Sequence, residues 1–371
     1  MKALFLIFHG FEASNGISKK IFYQLKALEE CDIDTHICYY NLNIQGHRKW
    51  MIDKEVLSDL GKGFLAKIKK RCYYNSIINY IKNEKISLVY IRSYHNANPF
   101  TIHLVKQIKE NGAKVIMEIP TYPYDQEYID KSMILELFID KLFRKRLANN
   151  LNAIVTFSNE KIIFGQRTIR ISNGIDFSAI KQKENVNDIQ YELHLIGVAE
   201  VHYWHGFDRI IKGLGEFYRL NKNGYKVYFH IIGNLTGQRE REEILTPLKQ
   251  NKLEQFVILH GTKHGDELDD MFEQADFAIG SLGRHRSNIS NIKTLKNREY
   301  AARGIPFIYS EIDDDFEKMP YILKASADDT PIDINKIVEF ATTQKYTPFE
   351  IRNSIKHLSW KNQMEKVLNQ L

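Results

Sequence analysis

The stretch from Asp276 to Ser310 restricts the fold of this chain more than any other. It begins with Asp276-Phe-Ala-Ile-Gly280, an apolar run short enough for a buried parallel strand. A polar loop rich in Arg, His, Ser and Asn follows. The spacing then predicts a helix from roughly Asn291 to Arg303, closed by Gly304 with Pro306 just beyond. Phe307-Ile-Tyr309 resumes the sheet. Strand, loop, helix and strand make one βαβ unit, with the loop and the helix start at the carboxyl edge of a sheet. Ligands of open α/β sheets bind at that edge, and the unpaired N–H groups of a helix start suit an anion.

Within the predicted helix, Glu299 lies four residues after Leu295 and three before Ala302, which puts it on the inward face. An ordinary crossover with Glu299 paired to Arg303 at the i, i+4 spacing explains the same residues. Arg284, Arg286, Lys293 and Lys296, close to the helix start, favour an anionic ligand instead.

At 371 residues the chain suggests two domains. It is 43% hydrophobic and 26% charged, as folded soluble proteins are, and no run approaches the roughly 20 apolar residues of a membrane span. The opening Met1-Lys-Ala-Leu-Phe-Leu-Ile-Phe8 reads as a first buried strand rather than a signal segment. Three cysteines without paired spacing (Cys31, Cys38, Cys72) argue against a disulfide framework, and a cytoplasmic location is expected. Charge is unevenly shared: 26 Lys+Arg against 17 Asp+Glu through residue 175, and 26 against 29 thereafter. The excess gathers at Lys62–Arg71 and Lys141–Arg146, beside apolar residues at helical spacing. Such segments suit either a solvated face of a packed helix or the inner surface of an anionic membrane. No nucleic-acid-binding motif accompanies the charge.

Taken in order, strand Ala3–Phe8 leads through His9-Gly10 to a loop with Gly16 and a helix from about Lys19 to Glu29. Strand Ile33–Tyr40, one or two helices within Phe64–Asn83, and strand Ile86–Ile91 follow. The next loop carries Arg92 and His95, at the same sheet edge as Gly16. Helix Phe100–Asn111 and strand Ala113–Met117 precede Glu118-Ile-Pro-Thr-Tyr-Pro-Tyr-Asp125, whose Tyr122 face and carboxylates suit a polyhydroxylated ligand. The same loop also reads as a proline-stiffened segment whose aromatics pack down. Helix Ile129–Asn149 and strand Ala153–Phe157 complete a first half. The polar stretch Lys181–Asp188 reads as a linker, after which strands and helices alternate again from Glu192. The segments expected are 1–178, a linker 179–190, 191–345, and a C-terminal helical stretch 346–371.

This pattern resembles the GT-B fold retaining glycosyltransferases, in particular the large family that builds bacterial surface polysaccharides. The residues that carry the resemblance are Asn173-Gly-Ile-Asp176, Trp204-His-Gly-Phe-Asp-Arg209, Ile231-Ile-Gly233, Val257-Ile-Leu-His-Gly261, Ala275-Asp276 and Leu295-Lys-Asn-Arg-Glu-Tyr-Ala-Ala-Arg-Gly-Ile-Pro306. The resemblance implies an α/β architecture of two doubly wound Rossmann-like domains facing each other across a cleft. The C-terminal helix would pack back toward the first. It implies transfer of a hexose from a nucleoside-diphosphate sugar to a saccharide or lipid-linked saccharide, with retention.

By the same resemblance Glu299 bonds the donor ribose, and Ser287 to Ile292 give backbone N–H groups to the diphosphate. Lys296 and Arg286 are its cationic partners, Arg284 stands beside them by position, and Gly233 and Gly261 border the base. His95, Glu118 and Asp125 would orient the acceptor, with Gly16, Arg92, Tyr122 and His205 lining its side. Two positions depart from the family pattern: Asn291 stands where its first acid is usual, eight residues before Glu299, and His205 where a basic residue precedes glycine. No Asp-x-Asp element is read after a strand, so a metal-dependent transferase type is not expected, nor is a resident cofactor. The alternatives are a non-catalytic nucleotide-sugar-binding partner, and a GT-B epimerase or phosphorylase.

Overall fold

The computed structural model describes residues 1–11, 16–92, 97–125, 131–184, 189–220 and 224–371. The chain divides into two compact units, Met1–Ser172 with Trp360–Leu371, and Asn173–Ser359.

The first unit runs β1 (Lys2–Ile7), α1 (Gly16–Glu29), β2 (Asp34–Leu42), β3 (Arg48–Ile52), β4 (Glu55–Gly61), α2 (Gly63–Cys72), α3 (Asn75–Asn83), β5 (Leu88–Arg92), α4 (Pro99–Glu110), β6 (Lys114–Ile119), α5 (Lys131–Ala148), β7 (Ala153–Thr156), β8 (Ile162–Ile163) and β9 (Gln166–Arg170). Among the described residues they form one nine-stranded sheet, ordered β4-β3-β2-β1-β5-β6-β7-β9-β8. Its centre, β2-β1-β5-β6-β7-β9, is parallel. The apolar run of β1 is explained by burial on both faces. Leu4 and Leu6 point into one core, and Ala3, Phe5 and Ile7 into the other, as the two-residue period of a strand requires. The antiparallel hairpin β3–β4 escaped the sequence reading. Its alternation is broken by register shifts, and its turn is made at Asp53, whose φ is 52°.

The second unit continues with β10 (Glu192–Val198), α6 (Phe207–Leu220), β11 (Lys226–Ile232), α7 (Gln238–Gln250), β12 (Val257–Leu259), α8 (Asp266–Gln274), β13 (Phe277–Ile279), α9 (Leu295–Arg303), β14 (Phe307–Tyr309), β15 (Ile322–Lys324), α10 (Ile334–Thr343) and α11 (Pro348–Ser354). Its strands, all parallel, are ordered β12-β11-β10-β13-β14-β15. The pattern is doubly wound: β10 starts in the middle, and the chain winds first to one side and then to the other.

Two boundaries differ from the sequence reading. The division falls at Ser172/Asn173, ahead of the polar stretch, because residues 173–180 are tied into the second unit. The Asn173 amide donates to the Lys293 carbonyl at 2.5 Å, and the Arg352 guanidinium holds the Phe177 and Ile180 carbonyls at 2.5 and 3.1 Å. The C-terminal stretch is not one helix. Part of it, α11, belongs to the second unit. Only α12 (Trp360–Asn369) and the last two residues join the first, where Trp360, Met364 and Val367 pack in the core under α1.

Candidate functional site

In the second unit β10 is flanked by β11 and β13, so the sheet reverses its winding there, and the crevice at that reversal is where such sheets take ligands. The loops after β10 and β13 meet at this point. Each makes one 3-10 turn, Tyr203–His205 and Arg284–Ser287. The Leu282 N–H donates to the His205 carbonyl at 3.0 Å. Gly206, with φ 67°, permits the approach, since a Cβ there would lie 2.7 Å from the Leu282 carbonyl carbon. Arg286 fastens the pair of loops. It grips Asp208 with both guanidinium nitrogens, donates to Asp329 at 2.6 Å and to the Tyr203 carbonyl at 2.8 Å. Four of its five N–H groups are so engaged inside the protein, which leaves one for the phosphate-partner role expected of it.

Lys296 and Arg284 are placed differently. The Lys296 ammonium is buried and makes no hydrogen bond among the described residues; it lies 5.3 Å from the centre of the Phe207 ring. Burial, and then the neighbouring Arg284 cation, push its pKa well below the ordinary lysine value. The Arg284 guanidinium lies 5.5 Å from the Trp204 ring, and its Nε is buried and unpartnered. His205 is buried beside them; burial, with Lys296 and Arg284, depresses its pKa strongly and keeps the ring neutral. A buried polar group without a partner is costly and calls for an explanation. Several recur here: among the described residues the Ser281 and Thr294 hydroxyl oxygens, the Asn297 amide oxygen and one Glu311 oxygen are buried and unpartnered as well. Thr294, the residue before α9, makes no side-chain cap bond among the described residues, which suits the first N–H groups of the helix to an anion.

The helix starts later than the sequence spacing implies, at Leu295 instead of Asn291. The cause is a short bridge to the segment after β14: Ile292 N–H donates to the Ile312 carbonyl, and Ile312 N–H to Ser290. Three N–H groups of Ser287–Ile292 are used within the protein: that of Ile292 in this bridge, and those of Asn288 and Ile289 on the His285 and Arg284 carbonyls of the preceding turn. This corrects the expectation that this run as a whole cradles a diphosphate. The Ser287 hydroxyl meets the Tyr203 hydroxyl at 3.1 Å, and Asn291 is exposed. Glu299 does not share the inward face. Asn297, Arg298 and Tyr300 to Arg303 are buried, whereas Leu295 is 45% exposed and Glu299 half-buried, accepting from Arg303 at 3.1 Å. Gly233 and Gly261 do come together, the N–H of the first donating to the carbonyl of the second at 2.7 Å. Gly233, at φ 129°, leaves no room for a Cβ, which would fall 1.7 Å from the Ala199 oxygen.

In the first unit Glu118 is fully buried. It accepts from Gln24 at 2.6 Å and from the Tyr90 hydroxyl at 2.7 Å, pairs with Arg92, and has the Lys20 ammonium at 3.8 Å. Burial alone would raise its pKa, but Lys20 and Arg92 hold it below the usual carboxylate range. Glu118 and Arg92 thus stand in the core, where protein partners alone account for the buried carboxylate. Asp125 is an ion pair with Arg144 at 2.6 Å and Lys141 at 3.1 Å. Tyr122 packs edge-on against Phe164 at 5.6 Å. Gly16 opens α1. His95 lies outside the described residues.

Two features were missed. Glu311 follows β14 at the sheet edge and receives the His285 N–H at 2.9 Å; its place after a strand was the available signal. Asp313-Asp-Asp315 is an Asp-x-Asp spacing after the same strand, yet Arg298, itself fully buried, holds both outer carboxylates.

No protein-family model and no curated protein sequence matches this chain. Solved structures match it in fold. Sucrose-phosphate synthase from Thermosynechococcus elongatus aligns over 100% of this chain and 99% of its own with a TM-score of 0.63 at 12% identity. Anabaena HepE in complex with UDP gives 0.62 at 12% identity over 100% of both chains. The catalytic domain of starch synthase IV from Arabidopsis thaliana, bound to ADP and acarbose, gives 0.63 at 12% over 100% of this chain and 98% of its own. Two doubly wound α/β units, the second carrying the basic crevice between β10 and β13, give this chain the GT-B glycosyltransferase fold.

Proposed function

We propose that the chain is a glycosyltransferase that moves a hexose from a nucleoside-diphosphate sugar to a saccharide or lipid-linked saccharide in cell-surface polysaccharide synthesis. One observation carries the reading: the buried, unpartnered Lys296 ammonium, next to Arg284, at the uncapped start of α9. This combination suits a diphosphate, which would supply the missing acceptors. Two of the fold relatives were solved with nucleotides, UDP in Anabaena HepE and ADP in starch synthase IV.

In the reaction the bond between the sugar's anomeric carbon and the β-phosphate oxygen breaks, and the acceptor oxygen bonds that carbon on the same face. The departing phosphate takes the acceptor's proton, so no separate base is required. Lys296, Arg284 and the α9 dipole stabilise the charge that develops on the leaving diphosphate. Lys296 and Arg284 replace the cation that the family pattern sets before Gly206, where this chain has the neutral His205. Gly233 and Gly261 border the base, and Glu299 reaches the ribose from the exposed side of α9.

A non-catalytic nucleotide-sugar-binding partner is the second reading, favoured by Asn291 in place of an acid and by the Glu299–Arg303 pair. Thermal stabilisation by a panel of nucleoside diphosphates and their sugars tests the site, since binding raises the melting temperature by mass action. A shift with one base that Glu299→Ala diminishes supports the donor site, and no shift with any of them refutes it. Slow hydrolysis of the bound donor separates the enzyme from the inert partner.

A further inference from the structure

The charge excess of the first unit coincides with an apolar surface that its fold leaves uncovered. Helix α2 buries only Ala66. Its Phe64, Leu65 and Ile68 are 75%, 71% and 44% exposed, and from Lys62 to Cys72 it holds five cations and no carboxylate. Helix α5 faces inward with Asp140, Leu147 and Ala148. On its outer side Leu135, Phe138 and Leu142 are 66%, 58% and 60% exposed, continued by Ile134 and Ile139 and ending in the exposed Lys145 and Arg146. The two helices belong to one surface: Arg71 of α2 pairs with Glu136 of α5, and α4 packs against both. Phe100, at the start of α4, is itself 51% exposed.

Clustered aromatic and aliphatic side chains of this size on the outside of a folded unit mark an interaction surface. Their surroundings decide the occupant. A second copy of the chain would bring like charges together, whereas a surface of anionic headgroups would meet the lysines while its acyl boundary received the apolar side chains. Among the described residues no helix is long and apolar enough to cross a membrane, so the contact is one of lying on the bilayer. We infer that the α2–α5 face docks the protein on an anionic lipid surface. The inference is independent of the nucleotide-sugar reading. If both hold, the surface would bring the chain to acceptors that carry a lipid.

Sedimentation of the full chain with vesicles tests it, without nucleotide. Vesicles of equal parts phosphatidylcholine and phosphatidylglycerol should carry the protein down, and phosphatidylcholine alone should not. High salt should release it. Lys67→Gln with Lys69→Gln should weaken the partition about fivefold for each cation removed. Leu135→Ser with Phe138→Ser should weaken it at every salt concentration. All four positions are exposed, so circular dichroism and melting should be unchanged. Binding that ignores lipid charge, or survives both pairs of substitutions, overturns the inference. So does an absence of sedimentation, or a dimer in analytical ultracentrifugation that Leu135→Ser with Phe138→Ser dissociates.

Discussion

Arg286 holds both carboxylate oxygens of Asp208, at 2.9 and 3.0 Å, and so binds the loop after β13 to the first turn of α6. Arg284, two residues earlier, makes no comparable pair. Sequence proximity assigned both to one ligand, yet their surroundings give them separate tasks. Arg286→Ala should leave Asp208 buried and half-paired, lowering stability by about 3–5 kcal/mol in chemical denaturation. Arg284→Ala should change stability by less than about 1 kcal/mol and act on nucleotide affinity instead.

Glu118 should behave as a structural residue. Glu118→Ala leaves Arg92 and Lys20 buried without their common carboxylate, and a loss of about 3–5 kcal/mol is expected. Urea unfolding measures it. If Glu118 instead served the acceptor, the variant would keep its stability and lose turnover.

Gly233→Ala has no relaxed solution, because the backbone sits at φ 129° and the Ala199 oxygen occupies the place of a Cβ. A destabilisation of at least about 2 kcal/mol is expected. Nucleotide affinity should fall with it, as the loop after β10 moves away from Gly261.

Three histidines join neighbouring strands in the second unit. His194 Nδ1 is 3.0 Å from His230 Nε2, and His230 Nδ1 is 2.9 Å from His260 Nε2. Burial, followed by its two neighbours, depresses the His230 pKa to about 4, and burial lowers that of His260. The unfolded chain therefore takes up protons first, near the ordinary value of 6.5. Stability should be full above pH ~6.5 and fall toward pH ~4, with each such histidine contributing up to about 1.4 kcal/mol per pH unit. His230→Asn should flatten that slope in melting curves taken across the range.

The sequence made the framework legible where a single signal sufficed. Helix α6, strand β10 and helix α8 fall where periodicity puts them, because uninterrupted apolar runs and turn residues bound them. The start of α9 was not legible. The bridge of Ser290–Ile292 to Ile312 is a contact between residues distant in sequence, and it overrides the local helical spacing. The inward face of α9 was misread for a related reason, since Arg298 fills the core only because Asp313 and Asp315 meet it there. Lys296 and Arg284 were identified as cations near a helix start. That one of them is buried without an acceptor depends on how two loops fold over it.

Nucleotide binding through Lys296 is tested by titrating the protein and its Lys296→Met variant with UDP and other nucleoside diphosphates in a calorimeter. One of these nucleotides should bind the native protein, and the variant should lose at least about tenfold in affinity, the worth of a hydrogen bond to a charged group. Without nucleotide the variant should melt at the same temperature or higher, because an unpartnered polar group has been removed from the interior. Equal affinity in both proteins, or no binding to any nucleoside diphosphate, would contradict it.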